Sequence, residues 1–195
     1  MKKIVLITLL SSAAAAMSVG AHAEGVYVGV AVPTTHYDLT YLAPGAASTA
    51  VDGKGYSAQP KLTIGYDINK TWSVEGGYAW LGNADYAYTQ NGTAGAVETK
   101  SRALYAAAKA TLPVTNDISV YGKLGASENR YTIDGSGAAA SLSGKTKTTG
   151  LYFGVGAEYA LTKKVALTLE YENFGKMAAD NTRAAAVTVG AKYSF

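Results

Sequence analysis

From Val165 to Glu172 the chain alternates strictly: Val165, Leu167, Leu169 and Tyr171 fall on one side, Ala166, Thr168, Glu170 and Glu172 on the other. A period of two marks a β-strand whose faces meet unlike surroundings, and it recurs until eight segments are legible. The first, Val26 to Val32, sets Val26, Val28, Val30 and Val32 against Tyr27, Gly29 and Ala31. The second, Gln59 to Ile68, sets Leu62, Ile64, Tyr66 and Ile68 against Lys61, Thr63, Gly65 and Asp67. The third, Thr71 to Leu81, sets Trp72, Val74, Tyr78 and Trp80 against Ser73, Glu75, Gly77 and Ala79. The fourth, Lys100 to Leu112, is alanine-rich, and a helix is its alternative; its neighbours and the stop at Pro113 favour a strand. There Arg102 is expected beside Tyr105, Ala107 and Lys109, with a phase shift at Ala103. The fifth, Asp117 to Tyr131, sets Ile118, Val120 and Leu124 against Ser119, Tyr121 and Lys123. The sixth, Thr148 to Leu161, sets Leu151, Phe153, Val155, Ala157 and Tyr159 against Tyr152, Gly154, Gly156 and Glu158. The strand from Val165 is the seventh, and the eighth sets Val187, Val189, Ala191, Tyr193 and Phe195 against Thr188, Gly190, Lys192 and Ser194.

The connections alternate in length. Asp67 to Lys70, Pro113 to Asp117 and Thr162 to Lys164 read as short turns. Pro33 to Ala58, Gly82 to Thr99, Glu128 to Lys147 and the shorter Asn173 to Thr182 read as loops rich in Gly, Ala, Ser, Thr and Asn. Short turns at one end and long loops at the other suit a barrel that crosses an outer membrane, with the turns in the periplasm.

The N-terminus agrees with export. Met1-Lys2-Lys3 is a positive start, Ile4 to Leu10 is apolar, and Ala21-His22-Ala23 fits a cleavage site. Residues 1–23 are expected to be a signal peptide and 24–195 the barrel domain; the alternative is an N-terminal membrane anchor, for which the apolar stretch is short. No later run approaches the ~20 apolar residues of a membrane helix. The chain has no cysteine, so disulfides do not stabilise it. Without Lys2 and Lys3 its net charge falls from +3 to +1, and no basic surface for nucleic acid is expected.

Alternation alone leaves a soluble ligand-binding barrel open. The polar face favours the membrane. Lys61, Glu75, Lys109, Lys123, Glu158, Glu170 and Lys192 lie mid-strand among Gly, Ala, Ser and Thr, and only 16% of the chain is charged. That face is too sparse to be a solvated outer wall. Inside a narrow barrel the small residues leave room and the lysines and glutamates can pair, as enclosed charges must. Trp72, Trp80, Tyr66, Tyr159, Tyr171, Tyr193 and Phe195 fall near strand ends, where aromatic girdles belong. The expected fold is all-β: an eight-stranded antiparallel up-and-down transmembrane β-barrel.

Five stretches carry a resemblance. They are Lys61-Leu62-Thr63-Ile64-Gly65-Tyr66, Trp72-Ser73-Val74-Glu75-Gly76-Gly77-Tyr78, Tyr121-Gly122-Lys123-Leu124-Gly125, Gly154-Val155-Gly156-Ala157-Glu158-Tyr159, and the ending Gly190-Ala191-Lys192-Tyr193-Ser194-Phe195. In order and spacing the chain resembles the OmpA/OmpX-like family of small outer-membrane β-barrels over essentially its whole mature length. The resemblance implies an eight-stranded meander with a polar, largely plugged interior. It also implies that Tyr193 and Phe195 form the C-terminal signal read by the barrel-assembly machinery. Many OmpA proteins continue into a peptidoglycan-binding domain; this chain stops at Phe195, so that function is not carried over.

Chemistry is sparse. His36, in the first loop, is the one histidine beyond the leader; with Asp38 and a serine it would imitate a lipid hydrolase, but no nucleophile motif supports this. No metal or cofactor is expected: Asp134-Gly135-Ser136-Gly137 lacks the further oxygen ligands of a calcium loop, and Gly154-x-Gly156 sits in a strand. The leading expectation is a non-enzymatic structural and surface-interaction barrel, bathed in outer-membrane lipid and lipopolysaccharide and contacting host or cell-surface ligands through its loops. A narrow channel for ions or small solutes is the alternative, and a lipid-modifying enzyme a third.

Overall fold

The computed structural model describes residues 25–38, 54–90, 92–176 and 183–195. The expected signal peptide, residues 1–23, lies outside the described residues. Nine strands follow one another: β1 (Val26–Asp38), β2 (Lys54–Ala58), β3 (Lys61–Asp67), β4 (Trp72–Gln90), β5 (Thr93–Pro113), β6 (Ile118–Gly137), β7 (Gly144–Ala160), β8 (Val165–Lys176) and β9 (Arg183–Ser194). Every pairing is antiparallel, and β1 pairs with β9 from Tyr27↔Ser194 to Thr35↔Ala186. That pairing closes β1 and β3 to β9 into an eight-membered ring. Closure leaves no free strand edge within the wall, the condition for crossing lipid as strands.

The ninth strand comes from a proline. The second segment does not begin at Gln59: β3 starts after Pro60, which has no N–H to give the ladder. Above the break β2 pairs with the upper part of β1, from Thr34↔Ala58 to Asp38↔Lys54, inside what the sequence marked as loop. Pro60 still accepts from the Trp80 N–H at 3.0 Å, so the wall stays joined there.

Three more expectations are corrected at the rim. Gly82 to Thr99 is no loop: β4 and β5 run up to Gln90↔Thr93, with Asn91-Gly92 between them, a pair suited to a two-residue hairpin turn. Gly92 takes φ +78°. Glu128 to Lys147 is likewise mostly strand, β6 and β7 pairing up to Ile133↔Gly144, with a single 3-10 turn at Ala140–Leu142. β8 extends to Lys176. Where the wall leaves the lipid both faces are wet, so apolar alternation fades while the ladder continues. Arg102 is the other correction. It faces outward beside Leu104, and Ala103, wholly buried, faces in with Tyr105. The irregularity is on β4 instead, a bulge between Trp80 and Gly82: Leu81 keeps the inward phase of Ala79, and beyond it the phase of β4 is reversed, Gly82 pairing with Ser101 and Asn83 with Lys100.

The three short turns share one design. Asn69 Oδ1 accepts from the Thr71 and Trp72 N–H groups, both at 2.8 Å. Thr115 Oγ1 accepts from Asp117 and Ile118, and Thr162 Oγ1 from Lys164 and Val165. A short side-chain acceptor after the last apolar residue closes each periplasmic hairpin.

Polarity is inverted. Val30, Leu62, Val74, Leu104, Leu124, Leu151, Val155, Leu169 and Val189 point outward and are exposed, while Lys61, Glu75, Lys109, Lys123, Glu170 and Glu172 are buried. So broad an apolar wall is stable only against lipid. Tyr66, Trp72, Tyr159, Tyr193 and Phe195 ring its periplasmic end. Tyr78 and Trp80, ring centroids 4.5 Å apart, stand toward its outer end.

Candidate functional site: the filled lumen

Among the described residues the inward face carries small residues, a linked set of eight lysines and glutamates, and four buried tyrosines. All four tyrosines stand opposite a glycine in the ladder: Tyr27↔Gly65, Tyr105↔Gly77, Tyr121↔Gly156 and Tyr152↔Gly125. At Gly65, Gly77 and Gly156 a β-carbon would fall within 3 Å of the tyrosine ring. These glycines let the rings lie flat along the wall and carry their hydroxyls to the barrel axis.

The ionisable groups form two circuits. In the central one Lys61 Nζ reaches Glu170 at 2.8 Å and Glu172 at 2.6 Å, and Lys123 Nζ reaches Glu75 at 2.6 Å and Glu170 at 2.5 Å. Three carboxylates face two lysines there, and hydroxyls supply the remaining donors. Tyr27 and Tyr105 each donate to Glu75 at 2.9 Å, Tyr121 to Glu170 at 2.6 Å, Tyr152 to Glu172 at 2.5 Å, and Thr188 to Glu172 at 2.6 Å. Nearer the periplasm, Glu158 sits between Lys109 at 3.1 Å and Lys192 at 2.5 Å. Lys109 Nζ also lies 4.1 Å from the centre of the Tyr121 ring, over its electron-rich face. One circuit has an extra negative charge and the other an extra positive one, so the eight groups balance. Enclosed charges are tolerable only when paired and hydrogen-bonded in this way.

Outward of the charges lies an apolar layer. Tyr105 and Tyr152 stack at 4.4 Å, and Phe174, wholly buried, meets them at 5.9 and 5.3 Å. Leu81, Ala103 and Ala184 fill in around them. Above, Asn129 and Ser127 both donate to the Phe174 carbonyl, tying the β8 backbone across to β6. A cavity of about 30 Å³ remains in the lumen, lined by Tyr27, Lys61, Glu75, Lys109, Lys123 and Lys192 among others, about the space of one water.

All seven charged residues singled out in the sequence lie in these circuits. Glu172 and the four tyrosines were not singled out. The alternation puts them on the inward side, and a tyrosine on a face otherwise small and charged was the available signal. Tyr193 and Phe195 stand outward, edge to face at 5.1 Å. His36 falls in β1 opposite Tyr56 rather than in a loop. Asp134 lies on β6 opposite Glu98, 3.8 Å from Lys100 Nζ. Among the described residues no three His, Cys, Asp or Glu side chains gather as metal ligands would. Above the lipid band, Glu128 binds Lys147 at 2.8 Å and Arg130 at 2.9 Å, which holds its carboxyl below the usual range.

Known proteins are similar to this chain in sequence and in fold. Outer membrane protein A of Klebsiella pneumoniae is 30% identical over 138 residues, covering 67% of this chain and 39% of that protein. The Shigella flexneri protein of the same name is 28% identical over 181 residues, covering 87% and 48%. The chain thus spans less than half the length of these relatives. In fold it is similar to Neisserial surface protein A, with a TM-score of 0.59 at 21% identity, covering 89% of this chain and all of that one. It is similar also to Ail, the attachment invasion locus protein of Yersinia pestis, with a TM-score of 0.53 at 18% identity, covering 88% and 97%. Residues 4–195 match the family model described as the outer membrane protein beta-barrel domain. The chain belongs to that family, and its place is the bacterial outer membrane.

Proposed function

We propose that this barrel is a closed wall element of the outer membrane, non-enzymatic and non-conducting, whose strand extensions present a surface to the cell exterior for adhesion or envelope integrity. The observation that carries the reading is the order of layers in the lumen. A charge-balanced network fills the middle, and Tyr105, Tyr152 and Phe174 pack together across the outer side of it. An ion entering from the periplasm would meet Lys109 and Lys192, then a packed network, then an apolar layer with no partner for it. Dehydrating an ion there is costly. The rim has the converse character: hairpins rich in Gly, Ala, Ser and Thr, raised on a rigid wall, are where binding surfaces of such proteins lie.

Planar-bilayer recording of the refolded barrel tests the closed lumen, with no steady conductance expected. Steady ion flow that disappears on substituting Lys123 or Glu170 would replace this reading by that of a narrow channel. Exchange of the Gly82–Lys100 and Glu128–Lys147 segments for short turns tests the surface role. It is expected to abolish adhesion or envelope-resistance phenotypes while the barrel still folds. Assembly in the cell gives the role of Tyr193 and Phe195 its own test: Phe195 deletion is expected to lower the folded outer-membrane fraction without lowering stability of the refolded protein.

A further inference from the structure

Register places three cations in a row on the outside of the wall. Arg102 of β5 is the ladder partner of Arg130 of β6, and Arg130 is the partner of Lys147 of β7. All three are exposed and face away from the barrel axis, as the burial of Ala103, Asn129 and Tyr152 on the opposite phase requires. Like charges directly opposed across strands repel, and among the described residues no buried carboxylate pairs with them. Among the described residues Glu128 is the one carboxylate in contact with the row, bridging Arg130 and Lys147, and Arg102 has no ion pair. Two residues further out, Lys145 and Lys100 flank Thr132 on the same face. Lys100 is turned to Glu98 at 2.8 Å.

Height on the wall gives the row its meaning. On β5 the outward residue next below Arg102 is Leu104; on β6 and β7 the apolar wall ends at Ala126 and Leu151, one outward position below Glu128 and Thr149. Trp80, of the Tyr78–Trp80 edge-to-face pair, is the ladder partner of Arg102, and aromatics of that kind mark the lipid–water interface. The cations therefore stand where acyl chains give way to headgroups on the outer side. Adjacent strands are ~4.8 Å apart, so the row spans about one phosphorylated headgroup, and an arginine fork suits phosphate oxygens.

We infer that Arg102, Arg130 and Lys147 form a binding site for the phosphate groups of a phosphorylated glycolipid in the outer leaflet. Phosphate is the group that answers three clustered cations at that depth, and the apolar wall beneath receives the acyl chains of the same molecule. The site does not depend on whether the lumen is closed.

The test uses the whole barrel in phosphatidylcholine nanodiscs doped with either bisphosphorylated lipid A or the same lipid stripped of its phosphates, with bound lipid read by native mass spectrometry. The wild type is expected to retain the phosphorylated form preferentially. Arg102→Gln/Arg130→Gln/Lys147→Gln is expected to lose about a hundredfold in that preference, the scale of neutralising three cations beside anionic lipid. Lys163→Gln/Lys164→Gln, on a periplasmic turn, is expected to keep it. Heat-modifiable mobility reports folding in each case. Should the triple variant fail to fold, Arg102→Gln alone serves, with a loss of about fivefold expected. Equal retention of both lipids by the wild type overturns the proposal, as does an unchanged preference in the folded variants. Displacement of the lipid by millimolar inorganic phosphate would make free phosphate the ligand and overturn it too. So would tighter capture by the row of a soluble sulfated oligosaccharide, in phosphate-free discs, than of the lipid.

Discussion

A β-carbon added at Gly77 would lie 2.5 Å from Cε1 of Tyr105. The ring cannot simply swing away. Its hydroxyl donates to Glu75, and its face stacks on Tyr152. Gly77→Ala is therefore expected to destabilise the barrel by about 1–3 kcal/mol through overpacking. Urea unfolding in phospholipid vesicles measures the loss. In a Tyr105→Leu background the same substitution is expected to cost clearly less, because the colliding ring is gone; equal costs in the two backgrounds would count against the contact.

Glu158 and Lys109 belong to the same circuit but are not equivalent. Removing Lys109 leaves Glu158 its contact to Lys192, whereas removing Glu158 leaves two lysines facing each other. Glu158→Gln is expected to cost about 3 kcal/mol or more, and Lys109→Met about 1 kcal/mol. The same unfolding assay ranks them, and a reversed order would mean that Lys192 does not share the carboxylate.

The apolar layer makes its own prediction. Tyr152→Ala/Phe174→Ala removes two packed rings and also deprives Glu172 of one donor. The double variant is expected to show ion flow that the wild type lacks, at a stability cost of several kcal/mol. A folded double variant that stays silent in bilayers would place the barrier in the charge circuits instead.

At the rim, hydrogen bonds from Lys147 and then Arg130 hold the Glu128 carboxyl below its ordinary value. A depressed carboxyl favours the paired state above its unfolded pKa and loses that preference as pH falls through the folded one. An NMR titration is expected to place the Glu128 midpoint below that of an ordinary glutamate and to move it upward in Lys147→Gln. An unmoved midpoint would show that Lys147 does not hold the carboxyl.

What the sequence made readable follows the lipid. Wherever the outer face meets acyl chains and the inner face does not, a period of two is enforced, and Lys61, Glu75, Lys123 and Glu170 are assigned inward by it. Partner choice is different, since it depends on how strands are staggered around the ring. The sequence-marked set held four lysines against three glutamates; Glu172 supplies the missing charge, yet only the stagger of β3 against β8 brings it to Lys61. Arg102 was misplaced because a mid-strand charge was expected inside; β5 alternates without a break, and the plain period of two already puts Arg102 on the side of Leu104. The rim strands went unread because water on both faces removes the pattern, although Asn91-Gly92 carried a hairpin signal of its own.

The interruption at Pro60 leaves β2 joined to the wall through a separate short ladder with the upper β1. Cargo grafted between Asp38 and Lys54 would thus pull on the upper ends of β1 and β2, beyond the last β1–β9 pair at Thr35↔Ala186, rather than on the lipid-facing ladder. That makes this position the natural port for displaying a foreign epitope on a living cell, with assembly of the hoop left undisturbed.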